Sequence, residues 1–114
     1  SVLEVSDSVW DTIHTGMREV ITNKTAFDDL GVELAGKTGT AQENRKRSSH
    51  GLFIGYAPYN NPEIALCVRI PHGYSSTNAA MAAKDILNYY FNLEDEDKII
   101  TGKAKSASSN VRQD

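Results

Sequence analysis

Apolar residues recur at two different spacings along the chain, and together they predict a helix at each end with strands between them. From residue 6 to residue 24 apolar side chains return every three or four positions, which is typical of one face of an α-helix. Three short segments, near residues 33–42, 50–57 and 63–71, are separated by turn-forming residues and predict strands. A second helical pattern covers residues 76–91. The expected fold class is therefore α+β, with a three-stranded antiparallel sheet flanked by an N-terminal and a C-terminal helix.

The third strand carries apolar side chains on both of its faces. Alternation places Ile64, Leu66, Val68 and Ile70 on one face and Ala65 and Cys67 on the other. Neither face is strongly polar before Arg69, so we expect cover on both, with Cys67 as a small buried residue. Two helices can cover one face of a three-stranded sheet but hardly two, so the pattern predicts that more protein packs against it.

Residues 93–114 form a polar stretch that differs from the patterned residues 1–92. Beyond Ile100 this stretch is rich in Ser, Lys, Ala and Asn, and its composition predicts disorder. We therefore expect residues 1–92 to be a portion of a folded domain and residues 93–114 to form a polar C-terminal tail.

Length and charge limit the classes of protein to which the chain can belong. It has 114 residues, enough for one small domain or part of a larger one, and its formal charge of −3 gives no reason to expect nucleic-acid binding. No segment is apolar enough and long enough to cross a membrane, and no signal peptide is present. Since residue 1 is Ser rather than Met, we expect the chain to be a piece of a longer protein.

The histidines and the cysteine do not indicate a metal site. His14, His50 and His72 share no metal-like spacing, and Cys67 has no second cysteine with which to form a disulfide. We expect His14 to be exposed on a helix, His50 to make a structural hydrogen bond at the start of a strand, and His72 to be solvated in a turn. No metal and no cofactor is predicted.

The most informative segment runs from Gly36 to Ala41 and contains the triplet K-T-G. Lys37 supplies positive charge, Thr38 and Thr40 offer hydrogen bonds, and Gly39 has no side chain, so another backbone can come close. A strand with these residues in series suits an anionic, peptide-like ligand that lies along its edge.

The same residues also match the phosphate-binding P-loop pattern, G-x-x-x-x-G-K-[ST], from Gly31 to Thr38. That motif needs a buried strand before it and a helix after it, so that backbone amides and a helix N-terminus face the phosphates. A helical pattern and polar residues 25–29 precede it instead, and polar residues 43–47 follow it. The context therefore makes nucleotide binding a poor alternative.

The triplet and the segments around it resemble the C-terminal part of a penicillin-binding protein transpeptidase domain, closest to the class B, monofunctional type. K-T-G is one of three signature elements of penicillin-binding proteins and serine β-lactamases. The resemblance covers roughly residues 5–92 and extends to residues 50–58, 61–65 and 89–91, with Trp10, Gly16 and Met17 upstream. It implies a β-lactamase/transpeptidase-like fold and an enzyme that cross-links peptidoglycan stem peptides and is blocked by β-lactam antibiotics.

The resemblance also implies a role for each residue of the motif. Lys37 would place its charge beside the serine of a separate S-x-N element and near the carboxylate of the ligand. Thr38 and Thr40 would hydrogen-bond that carboxylate, and Gly39 would let the substrate or drug lie against the strand. The backbone N–H of Thr40 would form half of the oxyanion hole.

The nucleophile that this chemistry requires is absent from the chain. The family's serine lies in S-x-x-K, and no lysine of this sequence has a serine three positions before it. Residues 76–78 and 108–110 match S-x-N but follow K-T-G, whereas the family's S-x-N precedes it. We therefore expect the chain to be inert alone, with the remainder of the transpeptidase domain as its partner.

The resemblance further implies a location at the outer face of the bacterial cytoplasmic membrane, with the anchor in an upstream segment. Two other functions remain open from the sequence: a β-lactam sensor or serine β-lactamase with the same motifs, and a non-catalytic interaction module.

Overall fold

The computed structural model describes residues 1–95 and 99 and confirms the predicted order of elements. These are helix α1 (Asp7–Thr22), strands β1 (Ala35–Ala41), β2 (His50–Ala57) and β3 (Ile64–Ile70), and helix α2 (Ser76–Tyr90). A short 3-10 helix, Thr25–Phe27, lies between α1 and β1. The disorder predicted for the tail concerns residues outside the described part. No helix among the described residues is long and apolar enough to cross a membrane.

The three strands form one antiparallel sheet in the order β1-β2-β3, as predicted. Thr38 lies opposite Phe53, which lies opposite Val68, so these three side chains share one face. Lys37, Ile54 and Cys67 are aligned in the same way on the other face. We call the first the packed face and the second the open face.

Helix α2 covers the packed face, and alanines make up the N-terminal half of its buried surface. Ala79, Ala83 and Leu87 are fully buried with Phe53 of β2 in a single apolar core. At the start of α2 the Ser75 side chain accepts a hydrogen bond from the Thr77 N–H, which caps the helix. Full burial of each large side chain, such as Phe53 or Leu87, contributes about 1.5–3 kcal/mol.

The open face is not covered to the same extent as the packed face. Cys67 is exposed rather than buried, and Ile54 retains 49% of its accessible surface. Helix α1 lies near one end of this face, where the His14 ring contacts the Tyr56 ring with centroids 5.6 Å apart. His14 is therefore half-buried instead of exposed. Within the described residues, the sheet has helical cover over one face and an apolar surface on much of the other.

Helix α1 lacks the side-chain cap that α2 has, and its apolar face is unevenly buried. Ser6 occupies the N-cap position, but its hydroxyl lies 3.2 Å from the Ser8 hydroxyl and makes no side-chain capping bond. Ile21 is buried in the core as the helical pattern predicts, whereas Ile13 is 44% exposed. The apolar face of α1 is thus only partly used for packing.

Candidate active site

The K-T-G segment lies in β1, which is an edge strand of the sheet. One side of β1 pairs with β2, and no other strand of the described residues pairs with its second side. An unpaired edge offers a row of backbone N–H and C=O groups to an extended ligand. This placement also rules out the P-loop alternative, because Lys37 and Thr38 lie within a strand that continues to Ala41 and no helix follows them.

The structure brings the four predicted site residues together along this edge and leaves them accessible. Lys37 and Thr40 are exposed, and Thr38 and Gly39 are half-buried. Lys37 and Gly39 face the open side, while Thr38 and Thr40 alternate to the packed side. The Lys37 ammonium donates to the carbonyl of Thr38 at 2.7 Å. The edge therefore offers one cation, two hydroxyl groups and a stretch without a side chain.

The glycines of the sheet differ in why they lack a side chain. A Cβ at Gly36 would lie 2.5 Å from the Phe53 ring, one at Gly55 would lie 2.8 Å from the Ala35 carbonyl, and one at Gly51 would lie 2.5 Å from the Ser75 carbonyl. Internal packing therefore requires these three glycines.

Gly39 is the exception among them. A Cβ there would come no closer than 3.5 Å to any neighbouring atom, that atom being the Cβ of Leu52, which is ordinary van der Waals contact. Nothing within the described chain explains why this position has no side chain.

Two basic side chains hold the segment that leads into β1. Arg18 of α1 donates to the carbonyl of Leu34 at 2.7 Å, and its guanidinium lies 3.6 Å from the Glu33 carboxylate. Lys84 of α2 is nearly buried and donates to the Ala26 carbonyl at 3.0 Å, and it also contacts a carboxylate oxygen of Asp29. The sequence analysis missed both. The available signal for Lys84 was a lone lysine on the alanine-rich face of a helix.

A third group lies where the chain leaves β1. Glu43, His50 and His72 bring one potential metal-ligating atom each to within 4.8 Å of one another. The sequence analysis saw no shared spacing among the histidines, because hairpin β1–β2 and the turn after β3 bring these residues together. His50 accepts a hydrogen bond from the His72 N–H at 3.1 Å, which confirms its expected structural role. His72 is not simply solvated, since its Nδ1 lies 3.0 Å from the Ser48 carbonyl.

The arrangement can bind an anionic, extended molecule but holds no serine in the S-x-x-K context that would attack it. A lysine and threonine hydroxyls along an unpaired strand edge provide charge-assisted and neutral hydrogen bonds.

Comparison with known proteins agrees with this geometry. The family model for the penicillin binding protein transpeptidase domain matches residues 1–88. Peptidoglycan D,D-transpeptidase MrdA of Haemophilus influenzae is 35% identical over 105 residues, which cover 75% of this chain and 16% of that protein. The chain therefore spans about a sixth of the length of this curated relative.

Solved structures of the same kind share the fold. PBP2 of Pseudomonas aeruginosa superimposes with a TM-score of 0.68 at 32% identity, covering 84% of this chain and 21% of that one. Penicillin-binding protein A of M. tuberculosis, in its imipenem acyl-enzyme complex, gives a TM-score of 0.64 at 25% identity and covers 79% of this chain and 20% of that one. The chain belongs to the family of penicillin-binding protein transpeptidase domains.

Proposed function

We propose that this chain forms the K-T-G part of a serine-type peptidoglycan D,D-transpeptidase. In the whole protein, a serine would be acylated by D-alanyl-D-alanine stem peptides during cross-linking, or by β-lactam antibiotics, which block it. The relative from Haemophilus influenzae is a peptidoglycan D,D-transpeptidase, and penicillin-binding protein A of M. tuberculosis forms an acyl-enzyme complex with imipenem. Both observations concern those proteins and support the proposal for this one.

The observation that carries the proposal is Gly39. It lies on an unpaired strand edge, and no neighbour within the described chain requires its side chain to be missing. A ligand backbone lying against the strand gives a reason, because a methyl group there would occupy the ligand's space.

Each motif residue then has a defined task. Lys37 carries the charge that would attract the ligand carboxylate and act beside the serine of S-x-N. Thr38 and Thr40 donate hydroxyl hydrogen bonds to that carboxylate. The Thr40 N–H is half of the oxyanion hole, and removing one such donor from an acyl-transfer site costs about 2.7–4 kcal/mol of transition-state stabilisation.

The remainder of the transpeptidase domain is the proposed partner of the open face. Ile54 is 49% exposed there, and Cys67 is exposed beside it. Exposed apolar surface of this kind marks a contact site in a soluble protein. The partner segment would carry the S-x-x-K and S-x-N elements and, further upstream, the anchor that holds the enzyme at the outer face of the cytoplasmic membrane.

Labelling of the parent protein with a fluorescent penicillin tests this function. We expect a covalently labelled band on a denaturing gel, and loss of the label when unlabelled β-lactam is added first. A parent protein that forms no adduct would contradict the proposal. Light scattering on the isolated chain tests whether the open face needs a partner. We expect copies of the chain to associate, whereas a monodisperse monomer with a sharp thermal transition would show that the open face needs no cover.

A further inference from the structure

The residues at the end of β1 form a small polar cluster that the proposed reaction does not use. It consists of Glu43, His50 and His72, and we call it the histidine cluster. His50 is the cross-strand partner of Ala41, the last residue of β1, and is buried. His72 lies just after β3, and Glu43 lies two residues after the end of β1. The cluster thus joins the exit of the K-T-G strand to the turn that precedes α2.

The hydrogen bonds fix which nitrogen of each ring carries a proton. The backbone N–H of His72 donates to Nδ1 of His50 at 3.1 Å, so that nitrogen holds a lone pair. A neutral His50 therefore carries its proton on Nε2, which faces the Glu43 carboxylate at 3.6 Å. The Ser48 carbonyl can only accept, so Nδ1 of His72, 3.0 Å away, carries that ring's proton.

This assignment separates two interpretations of the cluster. A metal ion needs a lone pair on each ligating nitrogen, and a ligating histidine normally donates its other ring N–H to an acceptor. His72 satisfies that pattern, with Nδ1–H on a carbonyl and a lone pair on Nε2. His50 has the opposite arrangement, because Nδ1 accepts a hydrogen bond and the nitrogen that faces Glu43 carries the proton. The cluster therefore lacks a complete set of ligands for a metal.

The same bonds make the cluster a connection between three chain segments. His72 ties the turn after β3 to the start of β2 through its backbone N–H, and to the β1–β2 loop through its ring. The Tyr74 N–H adds a bond to the Ser49 carbonyl at 3.1 Å. Both His72 and Tyr74 have left-handed backbone, with φ of 53° and 65°, a conformation that such residues adopt only when their surroundings hold them.

We infer that His50 is a positioning residue for the K-T-G strand, acting through Nδ1. By accepting the His72 N–H it fixes the position of the first residue of β2. The cross-strand pairing of Ala41 with His50 and of Thr40 with Gly51 then fixes the position of the Thr40 amide. This inference rests on the proposed function, in which the Thr40 N–H belongs to the oxyanion hole. His50 itself touches no reacting atom.

The test compares two substitutions of His50 in the parent protein. In His50→Asn the amide oxygen lies about where Nδ1 lies and can accept the same hydrogen bond. His50→Leu keeps similar bulk without an acceptor. We expect acylation by fluorescent penicillin to stay within about threefold for Asn and to fall at least about tenfold for Leu, because a displacement near 1 Å in an active site costs on the order of 10²-fold. Equal rates for the two variants would overturn the inference.

Amide hydrogen exchange measured by mass spectrometry keeps this test separate from the proposed function. Peptides that contain residues 39–42 should exchange faster in His50→Leu than in His50→Asn or the unmodified protein, whether or not the protein is acylated. No difference among the three would refute the positioning role. If the unmodified protein is not acylated but the exchange pattern holds, the enzyme assignment fails and the positioning role stands.

A zinc titration tests whether the histidine cluster only connects the three chain segments or also binds a metal ion. We expect added ZnCl₂ to leave the melting temperature of the parent protein unchanged. A saturable rise that disappears in His72→Ala would identify a metal site and overturn the tautomer argument.

Discussion

Replacing Gly39 by Ala separates binding from folding more cleanly than any other change in this strand. The new Cβ would lie 3.5 Å from the Leu52 Cβ and 3.7 Å from its Cδ1, so no atom of the described residues has to move. An alanine that fits its native backbone usually raises stability by about 0.4–1 kcal/mol, because it restricts the unfolded chain. The fold should therefore be unchanged or slightly more stable.

The matched control is Gly36→Ala, three positions earlier in the same strand. There the added Cβ would lie 2.5 Å from the Phe53 ring and 2.6 Å from the Ile54 carbonyl. Phe53 is fully buried and cannot move aside. Overpacking of this kind costs about 1–3 kcal/mol, so this variant should unfold at lower urea concentration.

The acylation rates should rank the two variants in the opposite order to their stabilities, so that the more stable variant, Gly39→Ala, reacts more slowly. Gly39→Ala should react with fluorescent penicillin on the order of 10²-fold more slowly, because the methyl group displaces the ligand from the strand by about 1 Å. Both variants are made in the parent protein and compared by urea unfolding and by labelling rate. If Gly39→Ala is acylated at the unmodified rate, no ligand lies against Gly39, and the main support for the proposed function is lost.

Four further predictions concern charge, completeness and stability. Lys37→Ala in the parent protein should slow acylation at least about tenfold, because the ligand carboxylate loses a partner worth about 1.5–3 kcal/mol, and should leave the melting temperature unchanged. Acylation rates within a factor of about two of the unmodified parent would show that Lys37 is not part of the site. The isolated chain should form no covalent adduct with fluorescent penicillin, since it contains no S-x-x-K, and a labelled band from it would be contrary to this. Lys84→Ala should lower the free energy of unfolding by about 1–3 kcal/mol, because the partly buried Ala26 carbonyl loses its donor, and an unchanged urea midpoint would refute that. Burial, and then the charge of Glu94, raise the pKa of Asp85 above its ordinary value near 3.8, so the stability that the protonated carboxyl contributes is lost as the pH rises through the pKa of the folded state. Asp85→Asn should therefore stabilise the protein at neutral pH, and this gain should vanish below pH 3.8.

The local patterns of the sequence were sufficient to predict the elements and their order. The second strand was predicted at residues 50–57 and is observed at His50–Ala57, because turn residues mark both of its ends. Period-two alternation also predicted correctly that Ile64, Leu66, Val68 and Ile70 share one face of β3, and the structure shows that this is the more buried face.

Other features depend on contacts between distant segments and could not be predicted in this way. The same alternation gave no sign that Cys67 is exposed, since an apolar face that is exposed has the same sequence pattern as one that is buried. His50 and His72 are 22 residues apart and meet only because β2 and β3 are antiparallel neighbours. Lys84 reaches Ala26 across 58 positions of sequence, which no local pattern records.

A structure of the parent protein after reaction with a β-lactam tests the central claim most directly. We predict that the acyl group lies along the free edge of β1, with its carboxylate bonded to the Thr38 and Thr40 hydroxyls and its carbonyl oxygen accepting from the Thr40 N–H. Lys37 should lie near that carboxylate, and the atoms of the ligand should pass over Gly39. An adduct that forms away from this edge, with β1 left untouched, would contradict the account.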